Sequence, residues 1–148
     1  MLKMPRRTLY AIEAVLDIAY NAGEQPVRSS EITERQDIPA RYLEPVLQQL
    51  VRAGILVGVR GPRGGYRLGR DRRRITVGDI ARVAHGSEDD PQDEAGSPLG
   101  RAVVRPLIQT LEAEAVARMD GTTIDDLCTR ARSAGVASAN TAPLDFTI

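Results

Sequence analysis

Arginine side chains are concentrated in residues 57–68 (VGVRGPRGGYRL), where two short β-prone runs flank a tip of Gly, Pro and Arg. We interpret this stretch as a β-hairpin, because Gly64 and Gly65 can adopt the positive φ angles of a tight turn and Pro62 fixes its own φ at the bend. A solvent-facing hairpin has no core use for several guanidinium groups, whereas DNA phosphates and a narrow minor groove bind them. The pattern therefore predicts DNA contacts from Arg60, Arg63 and Arg67.

The residues that precede the hairpin have the pattern of a helix-turn-helix. Residues 29–35 (SSEITER) predict a short helix capped by Ser29, and residues 36–39 (QDIP) predict a turn. Residues 40–53 predict a second helix that ends at Gly54. A helix, a turn, a helix and a basic hairpin in this order make a winged helix-turn-helix, so we expect a mainly α protein with a small β-hairpin.

The second helix of this motif is the candidate recognition helix. Its N-terminal residues would face base edges, and Arg41 is the side chain there that can bind guanine through two hydrogen bonds. Gln48 lies farther along, where a phosphate contact or simple solvation is favoured over base reading. We predict Arg41 first, and then Gln48, as DNA-binding residues.

Because of Pro45, the sequence does not decide at which residue this helix begins. If the helix begins near Ala40, Pro45 removes the hydrogen bond to the Arg41 carbonyl and can bend the helix. If it begins near Tyr42, Pro45 lies in the first turn at little cost.

Basic residues also precede the first predicted helix, which is amphipathic and ends at Gly23, with Thr8 as its candidate N-cap. They are either a solvated leader or phosphate contacts beside the recognition helix. We carry them as candidate DNA-binding residues: Lys3, Arg6 and Arg7. After this helix, a β-prone segment at Val27 could pair with the hairpin.

Three motifs together resemble the Rrf2 (Rrf-two) family of bacterial transcription regulators. They are YLE at residues 42–44, RGPRGGYRL at residues 60–68 and ITVGDI at residues 75–80, and the resemblance covers about residues 9–83. It implies a homodimeric DNA-binding regulator, and it favours phosphate contact by the N-terminal basic residues. The last motif also pairs Thr76 with Asp79, a variant capping box that predicts a helix start.

A long helix is predicted over residues 98–119, with a wide apolar stripe. A helix this apolar outside a small head needs a partner surface, and in the resembled family the equivalent helix crosses its mate in a homodimer. Pro106 predicts a kink or a late helix start. The predicted dimerisation residues are Val103, Val104, Leu107, Ile108, Leu111 and Ala115.

These patterns divide the chain into four parts. We expect a winged helix-turn-helix head at residues 1–86, an acidic flexible loop at 87–97, dimerisation helices at 98–135 and a flexible tail at 136–148. The last helix would be capped by Thr123 and Asp126. It places Cys128 among apolar residues, where a buried small side chain is favoured over a redox switch.

The cysteine content bears on cofactors. Cluster-binding members of the resembled family hold an iron–sulfur cluster through three cysteines in and beside the acidic loop, and this chain has none of them. We therefore expect no cluster, no other cofactor and no metal site. One cysteine also excludes an intrachain disulfide.

Charge is divided unevenly along a chain whose net charge is zero. Residues 1–82 hold 15 Lys and Arg against 9 Asp and Glu, a net of +6, and residues 83–148 carry a net of −6. The division predicts a head that contacts DNA and a body that does not. The chain has no apolar run long enough to span a membrane and no secretory signal pattern, so we expect a cytoplasmic protein.

Three functions are compatible with the fold class. The leading hypothesis is a homodimeric repressor that binds a palindromic operator. Its signal stays open between a small-molecule effector, a regulatory partner protein, chemistry at Cys128 and no effector. The alternative is a winged-helix adaptor that acts through protein contacts with an enzyme or another partner. An enzyme is the weakest reading, because no nucleophile with its base, no metal site and no phosphate-binding glycine loop is present in the sequence.

Overall fold

The first helix, α1 (Arg6–Tyr20), contacts most of the other elements in the computed structural model, which describes residues 4–85 and 96–139. Its buried face presents Ala14, Val15 and Ile18 to the core. The predicted cap was wrong: the N-cap is Pro5, and Thr8 is buried inside the helix. Small and branched apolar residues on α1 allow neighbouring helices and the hairpin to pack closely against it, which suits this central position.

The helix-turn-helix is formed by α2 (Ser29–Gln36) and α3 (Ala40–Arg52). Ser29 does not cap α2; instead the backbone N–H of Arg28 donates to Oε1 of Glu31 at 3.1 Å. Since α3 begins at Ala40, Pro45 lies in the helix interior, where it has no N–H to donate to the Arg41 carbonyl. The two helices meet over fully buried apolar side chains: Ile32, Ile38, Leu43, Leu47 and Leu50.

The predicted hairpin consists of β1 (Leu56–Val59) and β2 (Gly65–Leu68), paired antiparallel. Val27 pairs with Tyr66 as predicted: the Val27 N–H donates to the Tyr66 carbonyl at 3.0 Å, and the Tyr66 N–H donates to the Val27 carbonyl at 2.7 Å. This pairing ties the hairpin to the connector between α1 and α2.

The glycine assignment in the hairpin turn was wrong. The residue with positive φ is Gly61, at 108°, and neither Gly64 nor Gly65 has that conformation. Gly65 is required for another reason, because a Cβ at this position would collide with the carbonyl oxygen of Val27. The glycines therefore allow both the turn and the close approach of a third backbone segment.

The helix after the hairpin, α4 (Val77–His85), starts with the predicted capping box. The Thr76 N–H donates to Oδ2 of Asp79 at 3.0 Å, and the Asp79 N–H donates to the Thr76 hydroxyl at 3.0 Å. Residues 86–95, which include most of the predicted acidic loop, lie outside the described residues.

The chain is helical again from residue 98 to α5 (Arg105–Met119), with a π-helical turn at Gly100–Val104. The Arg105 N–H donates to the Gly100 carbonyl across this wider turn. Pro106 lies in the first turn of α5. A kink or a late helix start was predicted at Pro106, and the structure has a π-helical turn directly before α5. No side chain of α5 is fully buried in the single chain.

The last described helix, α6 (Ile124–Ser133), returns to the head. It has the predicted capping box, since the Thr123 hydroxyl accepts from the Asp126 N–H at 3.1 Å. Ile124 and Cys128 are fully buried in the same core as α1. The sequence-based division groups residues 124–133 with the dimerisation helices, and in the structure these residues also pack against α1.

The start of the predicted flexible tail contacts the C-terminal end of α1. The Ser138 hydroxyl donates to the Tyr20 carbonyl, and the Ala139 N–H donates to Oδ1 of Asn21, both at 2.8 Å. Residues 140–148 lie outside the described part of the chain. Over the described ranges, no helix is both long enough and apolar enough to cross a membrane.

Candidate nucleic-acid interface

The outward face of α3 carries the candidate base-reading side chain. Because Leu43, Val46 and Leu47 point into the core, the periodicity of the helix leaves Arg41, Glu44 and Gln48 exposed. The Arg41 guanidinium carbon lies 4.7 Å from the centroid of the Tyr42 ring. A guanidinium against an aromatic face keeps its N–H groups at its edge, where they remain able to bind a base or a phosphate.

The start of α1 lies against α3. The Tyr10 and Tyr42 rings stack with centroids 6.3 Å apart, and Arg7 donates to Oε1 of Gln49 at 2.6 Å from Nη2 and 3.2 Å from Nε. Arg7 therefore holds α3 in addition to its predicted phosphate contact, while Arg6 is exposed. Lys3 lies outside the described residues. An open cleft of about 400 Å³ between the two helices is lined by Arg6, Arg7, Tyr10, Arg41, Tyr42 and Pro45.

The three hairpin arginines do not share one environment. Arg60 and Arg63 are exposed around the tip, and neither forms an ion pair with the residues in the described ranges. Arg67 instead donates from Nη1 to the Gly23 carbonyl at 3.1 Å, and from Nη2 to the Glu24 carbonyl. Its observed contacts hold the hairpin to the connector after α1, and its DNA contact stays a prediction.

Electrostatic contact links the hairpin to α3. Burial raises the pKa of Tyr66 in β2, and the negative charge of Glu44 in α3 raises it further. α3 also packs against β1, so the candidate recognition helix and the hairpin are neighbours in the fold.

A buried polar cluster that the sequence analysis missed positions α2. The Asp17 carboxylate accepts hydrogen bonds from Nε of Arg35 at 2.9 Å, from Nη2 of Arg35 at 2.8 Å and from Nε2 of Gln36 at 2.8 Å. The hydrogen bonds from Arg35 to Asp17 are the main cause that holds the pKa of Arg35 above its ordinary value. The signal was a carboxylate on the apolar face of α1, since a buried charge requires a partner.

A match to a protein-family model decides the class of this fold. The model is described as "Rrf2: Iron-dependent Transcriptional regulator" and matches residues 4–130. The chain belongs to the Rrf2 family. The family model describes transcriptional regulators, and the chain has the winged-helix fold of solved structures of this family.

Curated relatives of this Rrf2 chain include bacterial transcriptional regulators named IscR. IscR of Photobacterium profundum is 36% identical over 120 residues, which cover 81% of this chain and 69% of the relative. IscR of Vibrio campbellii is 40% identical over 88 residues, 60% of this chain. The chain spans about half the length of relatives such as this one, 52% for IscR of Vibrio campbellii.

Solved Rrf2-type structures agree with the fold. The chain is similar to T. potens IscR, with a TM-score of 0.72, 32% identity and 93% coverage of both chains. It is also similar to CymR, the global cysteine regulator of B. subtilis, with a TM-score of 0.67, 29% identity and coverage of 88% of this chain and 98% of that one.

The iron in the family's description does not fit the residues of this member. An iron–sulfur cluster is held mainly by several thiolates, and the whole sequence has one cysteine. Cys128 is fully buried in α6, and burial raises the pKa of its thiol, with Arg72 and Arg132 opposing the shift. The described ranges contain no group of three or more His, Cys, Asp or Glu side chains placed to hold a metal ion.

Proposed function

We propose that this Rrf2 regulator is a homodimeric repressor that binds a palindromic operator without an iron–sulfur cluster. The observation that carries the proposal is the placement of Arg41, Arg60 and Arg63 on the exposed recognition helix and hairpin, where none of them has a carboxylate partner within the described residues. Guanidinium groups presented in this way bind phosphates and guanine edges.

The exposed apolar face of α5 and of the π turn supports the homodimer. Val103 is 57% exposed, Leu107 is 56% exposed and Leu111 is 40% exposed in the single chain. Ile108 and Ala115 extend the same helix, and a second copy crossing it would remove these side chains from water. A two-fold dimer places two recognition helices on related half-sites, and the operator then shares that symmetry.

The signal that controls repression requires chemistry other than cluster ligation. One buried thiol cannot replace a set of thiolate ligands, so we propose either a small-molecule effector or a regulatory partner protein in its place. A repressor needs no cofactor to occupy its operator in this scheme.

The experiment is a selection of bound DNA sequences by purified, metal-free, reduced protein, with Arg41→Ala, Arg63→Ala and Arg130→Ala compared in parallel. Arg130 is exposed on α6 and controls for the loss of one positive charge. We expect a palindrome for the unmodified protein and for Arg130→Ala. Arg41→Ala should relax one symmetric pair of positions by about 1–3 kcal/mol per contact.

Arg63→Ala should weaken binding evenly across sequences, because a phosphate contact carries no sequence information, and it should lower the salt slope by about one unit for each of the two protomers. Enrichment of no sequence at low salt would contradict the proposal and favour the adaptor function. A reporter gene placed behind the selected operator distinguishes repression, which lowers expression, from activation.

A further inference from the structure

Asp120 joins the C-terminal end of α5 to α4. Its carboxylate accepts from Nη1 of Arg82 at 2.8 Å and from Nη2 at 2.5 Å, one oxygen for each donor, and the Thr76 hydroxyl lies 3.2 Å from Oδ1. Asp120 is the C-cap of α5, where a negative charge faces the negative end of the helix dipole. The local helix therefore disfavours this carboxylate, and its role lies in the contact with α4.

Gly78 of α4 lies directly against the C-terminal end of α5. A Cβ on Gly78 would overlap Oδ1 of Asp120 and would lie 3.0 Å from the Val116 carbonyl oxygen. The Val77 N–H donates to the Thr122 carbonyl at 2.9 Å, so the backbone after α5 is bonded to the start of α4. These contacts leave little freedom in the distance between α4 and α5.

Stability alone does not account for the Arg82–Asp120 pair. The two side chains are 51% and 40% exposed, and exposed ion pairs contribute little to folding. Two parallel hydrogen bonds do restrict orientation, because the planar guanidinium and carboxylate must remain aligned. The effect of the pair is therefore on the angle between the two helices.

We propose that the Arg82–Asp120 pair sets the spacing between operator half-sites that this regulator accepts. The inference rests on the proposed homodimer: α5 contacts the head mainly through α4, so the angle at this junction determines where each recognition helix stands relative to the two-fold axis. Arg82 and Asp120 are positioning residues in this scheme, since they act on DNA through the orientation of the head. If the two recognition helices are a fixed distance apart, they bind best to half-sites that are separated by the same distance.

The test uses the half-site obtained from the selection, duplicated with spacers changed one base pair at a time over about one helical turn of roughly 10 base pairs. Arg82→Gln and Asp120→Asn break the junction. Asp125→Asn is the control, because it removes another partly exposed Arg–Asp ion pair, with 2.8 Å between Nε of Arg72 and Oδ1 of Asp125, that lies within the head. A single half-site and the melting temperature are measured for every variant.

We expect the unmodified dimer to favour one spacing by at least about tenfold, and Arg82→Gln and Asp120→Asn to reduce that preference by at least about fivefold. Affinity for a single half-site and the melting temperature should change little, and Asp125→Asn should keep the preference. Unchanged preference in both junction variants overturns this inference alone, as does an equal loss in Asp125→Asn. If the unmodified protein shows no spacing preference, the proposed palindromic function fails together with it.

Discussion

Arg35 of α2 binds the carboxylate of Asp17 in α1 through two hydrogen bonds, of 2.9 and 2.8 Å. The Asp17 side chain is completely buried, and Ile32 is the buried residue of α2. A helix with so little apolar surface in the core depends on polar contacts for its placement. This pair therefore determines how the first helix of the helix-turn-helix lies on the head.

Loss of the Asp17 charge should destabilise the protein. Asp17→Asn leaves Arg35 facing an amide, and breaking such a pair costs roughly 3 kcal/mol, near the lower end for buried pairs because Arg35 is 26% exposed. Urea unfolding measures the loss. Glu34→Gln, on the exposed face of the same helix, should stay within about 0.5 kcal/mol, and equal effects of the two substitutions would refute the argument.

An added methyl group in the hairpin should destabilise the protein at Gly65, where another backbone segment lies close, and not at a glycine with open space around it. Gly65→Ala places a Cβ against the Val27 carbonyl oxygen and should cost about 1–3 kcal/mol through the displaced pairing with Tyr66. Gly58→Ala, in the opposite strand, has no atom within 4 Å of the added Cβ. Thermal unfolding and DNA affinity should fall for the first variant and remain close to normal for the second.

The thiol of Cys128 should react slowly in the folded protein. Burial raises its pKa, so a smaller fraction is thiolate at pH 8 than for an ordinary cysteine, and the rate should still be rising with pH where that of an ordinary cysteine has levelled off. Alkylation followed by mass spectrometry measures the rate with and without denaturant. Ser133→Cys introduces an exposed thiol on the same helix, which should react quickly; equally fast labelling of Cys128 in native protein would disprove its burial.

A charge on the apolar face of α5 should separate the proposed dimer. Leu111→Glu buries an unpaired carboxylate if a second copy covers this face, so the mass in solution should fall from twice 16.1 kDa to 16.1 kDa. Light scattering after gel filtration measures it. Gln109→Glu adds the same charge about 200° around the helix and should leave the dimer intact. A dimer that survives Leu111→Glu would place the interface elsewhere.

Two capping boxes were predicted correctly from local sequence, whereas the caps expected at Thr8 and Ser29 were not found. In the capping pairs Thr76 with Asp79 and Thr123 with Asp126, the two residues are three positions apart. Their geometry depends on one helical turn, so the pairs can be recognised from the sequence. The hairpin was equally predictable from its β-prone runs. The sequence did not show which glycine has positive φ. It also did not show why Gly65 is required, because the close contact comes from Val27, a neighbour that only the folded chain supplies.

The candidate site was predictable in position more than in detail. Arg41, Arg60 and Arg63 are exposed where the motifs placed them. Arg67 has the same chemistry in the same hairpin, yet its partners are the carbonyls of Gly23 and Glu24, far away in sequence. No local pattern separates an arginine that faces solvent from one that holds a distant loop.

The return of α6 to the head means that the core is discontinuous in the chain. Ile124 and Cys128 complete a surface whose other side is α1, near the N-terminus. During synthesis on a ribosome, the helices that carry the candidate DNA-binding residues emerge early, and the core beneath them is complete only when these last residues have followed. A chain cut before α6 would leave the apolar surface that Ile124 and Cys128 cover open to solvent and to proteases.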